Sequence, residues 1–259
     1  MDSANQLHCF ETKIKKKVQT KNKRDLMRSV VRASERFHSH EGWLDTYWHF
    51  SFGHYYDRAN MGWGSLRVFN DDRIAVGGKF DLHPHANYEI MTVMLEGGLE
   101  HTDSAGHTGI LGPNDVQAMS AASGVMHSEA QAGAKPVHSL QIWIEPLKRG
   151  GTPTWASHSF KQSDFENKLC ALVSGIEKTK APLHIRQDAA VYRARLGPSK
   201  SISHSLSGAH AFVYVVSGKL KIGADTLEAA DSMKIKDEKK IEFEATASDS
   251  ADFILIELP

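Results

Sequence analysis

Turn-forming residues punctuate this chain about every ten positions, which leaves room for short strands and little else. Between Gly42 and Pro146 the breaks fall at Asn70-Asp71-Asp72, Gly77-Gly78, Glu96-Gly97-Gly98, Ser104-Ala105-Gly106 and Gly112-Pro113-Asn114-Asp115. The segments they separate, among them LRVF, EIMTVMLE, TGILG and SLQIWIEP, are rich in β-branched and large apolar residues. Such spacing predicts an all-β sandwich or barrel, not a βαβ array. Gly150-Gly151-Thr152-Pro153 interrupts the pattern, and SDFENKL predicts a short helical turn capped by Ser163. Strands resume at KLCALVSG and run through HAFVYVVSGKLKI to ADFILIELP, so the second half also reads as all-β.

Two dipeptide-spaced pairs carry the chemistry: His83-x-His85 in LHPHANYE and His127-x-Glu129 in GVMHSEA. One intervening residue puts both members of a pair on the same face of a strand, because side chains alternate with period two. If the two strands face each other across a barrel, three imidazoles and one carboxylate converge. That donor set suits Fe, Mn, Ni, Cu or Zn.

The halves resemble each other. EIMTVMLEGGLEH lies over HAFVYVVSGKLKI, with Gly97 over Gly218 and Leu99 over Leu220. The same offset of 121 places His83 over His204 but His85 over Leu206; at an offset of 116, Asp115 meets Asp231, and His127 and Glu129 meet Phe243 and Ala245. The second copy thus keeps the strand pattern without the donors, so the strands do not need those donors to fold.

Composition limits the partners. The 259 residues carry 31 basic and 31 acidic side chains, and a neutral body offers no bulk attraction to nucleic acid or a membrane surface. Only the N-terminus is biased: Lys13, Lys15, Lys16, Lys17, Lys21, Lys23, Arg24, Arg28 and Arg32 face Asp25 alone, and a solvated, mobile tail is expected there. Cys9 and Cys170 cannot build a disulfide framework, no apolar run approaches the roughly 20 residues of a membrane span, and no secretory signal is evident. A cytoplasmic protein is expected.

The ordered series HPH, LEG, H-x-DS-x-G, GPxDVQ-M-A and G-x-x-HSE, with HEGWLDTYWHFSFGHYYD before it, resembles the pirin family of the cupin superfamily over roughly residues 32–259. The resemblance implies two cupin (jelly-roll-like) β-barrels packed side by side. Residues 1–28 would be the basic tail, 29–147 a metal-binding barrel, 148–168 a linker and 169–259 a metal-free barrel. It implies one divalent metal, iron(II), held by His83, His85, His127 and Glu129. The absence of nearby thiolates also favours iron over structural zinc. It further implies a quercetinase-like dioxygenase acting on a flavonol or related aromatic hydroxy compound with dioxygen. Glu129 would be the catalytic base, bound through one oxygen with the other free. The alternative that the resemblance carries is a redox-sensing regulator that binds a transcription factor or a metabolic enzyme, without direct contact to nucleic acid. The chain departs from the family pattern at Ala86-Asn87, Asn114 and Ala122.

Other candidates rank lower. Glu89 is expected behind the ligands or at the surface, His38-x-His40 in a loop, and His101 and His107 solvated or locally bonded. His54, Tyr55, Tyr56, Met61 and Trp63 are placed to fold over the barrel mouth. No Ser/His/Asp order or activated cysteine supports nucleophilic catalysis.

Overall fold

A computed structural model describes residues 27–259, so the tail expected to be mobile lies, up to position 26, outside the described residues. The described residues form two all-β barrels with no α-helix; two 3-10 turns, Ala33–Glu35 and Gln162–Asp164, are the helical elements among them. The first barrel pairs a seven-stranded antiparallel sheet with a four-stranded one. The larger sheet runs, in spatial order, Thr154–Ser159, Asp115–Ser120, Glu89–Glu96, Val137–Ile144, Leu66–Ile74, Leu44–Trp48 and Phe37–His40. The smaller runs Lys79–His85, Val125–Ala132, Gly98–Asp103 and Thr108–Leu111. The second barrel is built around His210–Ile222 and Ala251–Leu258, the latter buried along its whole length.

Period-two alternation explains how these strands are used. Along His210–Ile222, Ala211, Val213 and Val215 enter the core of the second barrel, while Phe212 and Tyr214 point the other way. In the first barrel Met91, Val93, Val116, Ala118, Leu140 and Ile142 point the same way as those two rings, and all join one cluster. The two large sheets therefore stack back to back, and their central strands are buried on both faces. That is why EIMTVMLE and ADFILIELP read as continuous apolar runs and not as alternating ones. The inward face of the first sheet gives Ile90, Met94 and Met119 to smaller clusters and, between them, Thr92, Gln117 and Gln141.

The internal repeat is physical. Gly97 and Gly218 both adopt positive φ, 74° and 80°, and at each a Cβ would collide with a backbone carbonyl, of Pro136 and Ser250 respectively. Strand pairing nevertheless corrects the downstream alignment. Val93 pairs with Val116 as Tyr214 pairs with Ser232, an offset of 116, but Leu99 pairs with Gln131 as Leu220 pairs with Ala245, an offset of 114. The intervening turn is two residues shorter in the second copy. His127 and Glu129 therefore correspond to Ile241 and Phe243, both fully buried. The three departures from the family pattern fall at left-handed positions: Asn87 (φ 58°), Asn114 (φ 68°) and Ala122 (φ 46°). Both asparagine side-chain oxygens accept a bond, Asn87 from the Gly150 N–H at 2.8 Å and Asn114 from Arg193 Nη1 at 3.1 Å. Ala122 has no such means, and its conformation costs about 1 kcal/mol.

Several boundaries differ from expectation. Thr154–Ser159, expected in a linker, pairs with Asp115–Ser120 and extends the first barrel's sheet. The turn after it is capped at Lys161, whose N–H donates to Asp164, and Ser163 sits inside it. Arg28–Val31 pairs with Ser232–Lys236 of the second barrel, so this stretch belongs neither to the tail nor to the first barrel. Arg28 binds Glu238 at 2.5 Å and Arg32 binds Asp231 at 2.7 Å, which ties both to the second barrel. His38 and His40 lie on an edge strand, not in a loop, and both face Asp45, at 2.5 and 3.7 Å.

Polar bonds cross the inter-barrel core at a few points. Asp71, 2% exposed, accepts from Tyr214 Oη of the second barrel at 2.6 Å, and from His138 (2.7 Å), Arg36 (3.2 Å) and Arg73 (3.3 Å) of the first. Burial acts to raise the Asp71 pKa, but the bonds from His138 and Tyr214 and the charge of Arg73 prevail and hold it well below the usual carboxylate range. A carboxyl depressed in the folded state contributes stability that is full above its unfolded pKa of 3.8 and is lost as pH falls below it. Asp71→Asn should therefore cost about 3 kcal/mol in urea unfolding at pH 7, because it leaves the buried Arg36 guanidinium without its carboxylate. The difference between variant and wild type should shrink as pH drops from about 4 towards 2; a gap independent of pH would disprove the ionic origin.

Candidate metal centre

The two donor pairs do not face each other across the barrel; they lie on hydrogen-bonded neighbours in the four-stranded sheet. Lys79–His85 and Val125–Ala132 run antiparallel, with His83 opposite His127 and His85 opposite Val125. The pairing slips between His127 and Glu129, a bulge that breaks the even register beside the site. The ligand atoms of His83, His85 and His127 lie within 4.8 Å of one another. Their rings pack with centroids 4.4 to 4.8 Å apart. Glu129 does not join that trio directly: its carboxylate groups with His127 and His101, so His127 belongs to both sets.

Burial sets the charge states. It lowers the His127 pKa to about 2, with His85 and His83 adding to the effect, and lowers that of His85 to about 4, with His83 adding again. Both imidazoles are therefore neutral, the form that binds a metal. Burial lifts the Glu129 carboxyl to about 7 against the opposing hydrogen bonds of Gln117 and Gln141. Gln117 Nε2 donates to Oε1 at 2.6 Å and Gln141 Nε2 to Oε2 at 3.3 Å. The second oxygen that the sequence reading left free is thus engaged, although each oxygen keeps a further lone pair.

His127 also fixes which nitrogen faces the cluster. Its Nδ1 lies 3.4 Å from His101 Nδ1, while its Nε2 is buried with no hydrogen-bond partner. A buried ring nitrogen left bare among neutral imidazoles is what a metal would complete, and the donors present, imidazoles and a carboxylate without thiolate, fit a divalent ion of the iron, nickel or zinc kind. Beside His85 a groove of about 500 Å3 is lined by Pro84, His85, Ala86, Ser104, Gly124, Val125 and Met126. Trp143 stands edge-on to His85 at 4.7 Å and meets Tyr88 and Phe52.

The lesser candidates are redistributed. His101, expected to be solvated or locally bonded, is fully buried and sits opposite Glu129, with Nε2 3.4 Å from Asp103. Its signal was present, since His101-x-Asp103 is itself a same-face pair. His107 stays local, bonded to Asp103 at 2.9 Å. Glu89 is not at the surface; fully buried, it accepts from Ser120 and from Arg186 of the second barrel. Trp63 leaves the mouth, donating to Ala211 O at 3.0 Å across the barrel interface. Tyr55 stacks on Phe37, His54 packs on Trp48, and Tyr56 is 73% exposed. Burial raises the Cys170 thiol pKa, the reverse of activation. Gln117 and Gln141 had gone unremarked as site residues; an amide embedded in VQAM or LQIW is the signal that would have found them.

In the second barrel the corresponding place is filled otherwise. His204 is opposite Ile241 and binds Glu257 at 2.8 Å, and Leu206 and Phe243 are buried in its core.

Residues 30–144 match the family model described as Pirin, and residues 172–258 match that of a quercetinase C-terminal cupin domain. A pirin-like protein of Caulobacter vibrioides is 38% identical over 83% of this chain and 93% of its own length. A quercetin 2,3-dioxygenase of Escherichia coli is 36% identical over 88% of this chain and 97% of its own. The crystal structure of the bacterial pirin YhhW from Escherichia coli in complex with nickel(II) superposes with a TM-score of 0.83 at 34% identity, covering 90% of this chain and 99% of that one. With both halves matched and relatives aligned over nearly their full length, the chain belongs to the pirin family.

Proposed function

We propose that this protein is a metal-dependent dioxygenase that opens the central ring of a flavonol or a related aromatic hydroxy compound. His83, His85, His127 and Glu129 would hold one iron(II) ion. The observation that carries the reading is the convergence of three imidazoles, two of them held neutral by burial, beside a buried carboxylate whose pKa lies near 7, at the edge of a largely apolar groove. The quercetin 2,3-dioxygenase name of the Escherichia coli relative points the same way, and the nickel(II) complex of YhhW shows that a relative of this architecture takes a divalent metal.

The bound metal would supply Lewis acidity towards a deprotonated substrate hydroxyl and an electron path to dioxygen. The chain's own residues do the rest. Ala86, Val125 and Met126 in the groove offer apolar contact to a flat aromatic body, and burial of Glu129 excludes water from the proton it would take. Of its two oxygens Oε2 is the better acceptor, since its amide bond is the longer, 3.3 against 2.6 Å. No helix of the described residues is long and apolar enough to cross a membrane.

Metal analysis of protein reconstituted anaerobically with iron(II) should find one ion per chain. His85→Ala should lower occupancy severalfold while the circular dichroism stays β-type, since Leu206 stands at the matching place in a barrel that folds. Full occupancy in that variant, or two ions per wild-type chain, would refute the ligand set.

Mixed with air and quercetin, the loaded protein should consume oxygen and bleach the flavonol absorbance. Glu129→Gln should reduce kcat by about 10² to 10⁴ through loss of the base. If no hydroxyaromatic supports turnover, while the oxidation state of the iron changes binding to a transcription factor or metabolic enzyme, the protein is a redox-sensing regulator instead.

A further inference from the structure

Glu129 and His127 are each held by a second residue, and those two residues meet at one side chain. Trp155 lies on Thr154–Ser159, the strand that extends the first barrel's sheet. Its Nε1–H donates to Gln117 Oε1 at 2.8 Å. An indole N–H can only donate, so this bond fixes which end of the Gln117 amide is oxygen. The NH2 group must then face the other way, where it donates to Glu129 Oε1 at 2.6 Å and to Thr92 Oγ1 at 2.9 Å. Thr92, having accepted, donates to Gln141 Oε1 at 3.3 Å, which turns the Gln141 NH2 towards Glu129 Oε2. Every bond in the circuit has one allowed direction, and both carboxylate oxygens end as acceptors.

The flat face of the same indole stacks on His101, with centroids 5.2 Å apart and planes 12° apart. If His127 offers Nε2 to a metal, its proton is on Nδ1 and points at His101 Nδ1, 3.4 Å away. His101 must then accept there and carry its own proton on Nε2, beside Asp103 Oδ2 at 3.4 Å. Gly109 backs the far edge of the indole so closely that a Cβ there would collide with the Trp155 ring, which leaves the ring one seat.

We infer that Trp155 is a positioning residue for this site, orienting Glu129 through Gln117 and His127 through His101. The inference rests on the metal-site reading above and adds to it the side chain that fixes two of the four ligands.

The test titrates metal-stripped, full-length protein with Co(II), whose visible absorption reports ligand geometry. Trp155→Phe keeps a ring against His101 but deletes the N–H. It should weaken Co(II) binding about tenfold and alter the absorption, and Trp155→Leu, which also removes the flat ring, should weaken it up to about a hundredfold. Gln117→Leu should match Trp155→Phe, and the double variant should be no worse than Gln117→Leu alone, because both changes cut one chain of bonds. In the metal-free protein the indole N–H resonance of Trp155 should move in Gln117→Leu, a readout that needs neither metal nor turnover. Wild-type affinity and absorption in Trp155→Phe, additive effects in the cycle, or an indole resonance indifferent to Gln117 would overturn the inference. A wild type that takes no Co(II), or an undiminished His85→Ala, would instead remove the metal-site reading, and the indole resonance would still decide whether the Trp155–Gln117 bond exists.

Discussion

The site in the first barrel depends on three central strands that are largely buried on both faces. Alternation along Glu89–Glu96, Asp115–Ser120 and Val137–Ile144 sends Met91, Val93, Val116, Ala118, Leu140 and Ile142 against the second barrel. The residues between them, Thr92, Gln117 and Gln141, face the barrel interior. Because these strands are largely buried on both sides, Thr92, Gln117 and Gln141 take protein partners for their polar groups. Those partners are one another, Glu129 and Trp155. The second barrel therefore acts at a distance on the site: it keeps the outer face dry and the three strands in register.

Within the interior, desolvation drives the donors towards the states that metal chemistry uses. It keeps His85 and His127 neutral and lifts Glu129 towards pH 7. The amide bonds to Glu129 oppose that lift and supply direction, so the carboxylate is both poised and aimed. Few buried polar side-chain atoms go without a partner; one that does, His127 Nε2, lies within the imidazole trio. An unmet ring nitrogen among the converging imidazoles marks where a ligand would complete the structure.

The second barrel shows what the architecture is without that network. Gly218 repeats the role of Gly97, and Leu220 that of Leu99, yet Ile241 and Phe243 stand where His127 and Glu129 stand in the first copy. Apolar packing replaces donors at no cost to the strands around them. His204 survives, but it is committed to Glu257, which also accepts from Tyr192 at 3.3 Å and from the Ser207 N–H. The donor set of the first barrel is thus a local substitution on a shared frame.

Local spacing determined much of this protein. Turn residues and period-two runs specify an all-β chain in two similar halves, and His83-x-His85 brings two imidazoles to one face whatever the neighbours do. What spacing could not say is which strand lies beside which. That the donor strands are hydrogen-bonded neighbours, that a bulge offsets Glu129 from the trio, and that Thr154–Ser159 extends the sheet all follow from long-range pairing. The same holds for His101, whose sequence neighbourhood reads as a solvated turn until the strand carrying Glu129 lies beside it. Gln117, Gln141 and Trp155 are ordinary residues in ordinary strands; only burial, which forces each donor to find its acceptor, made a site of them.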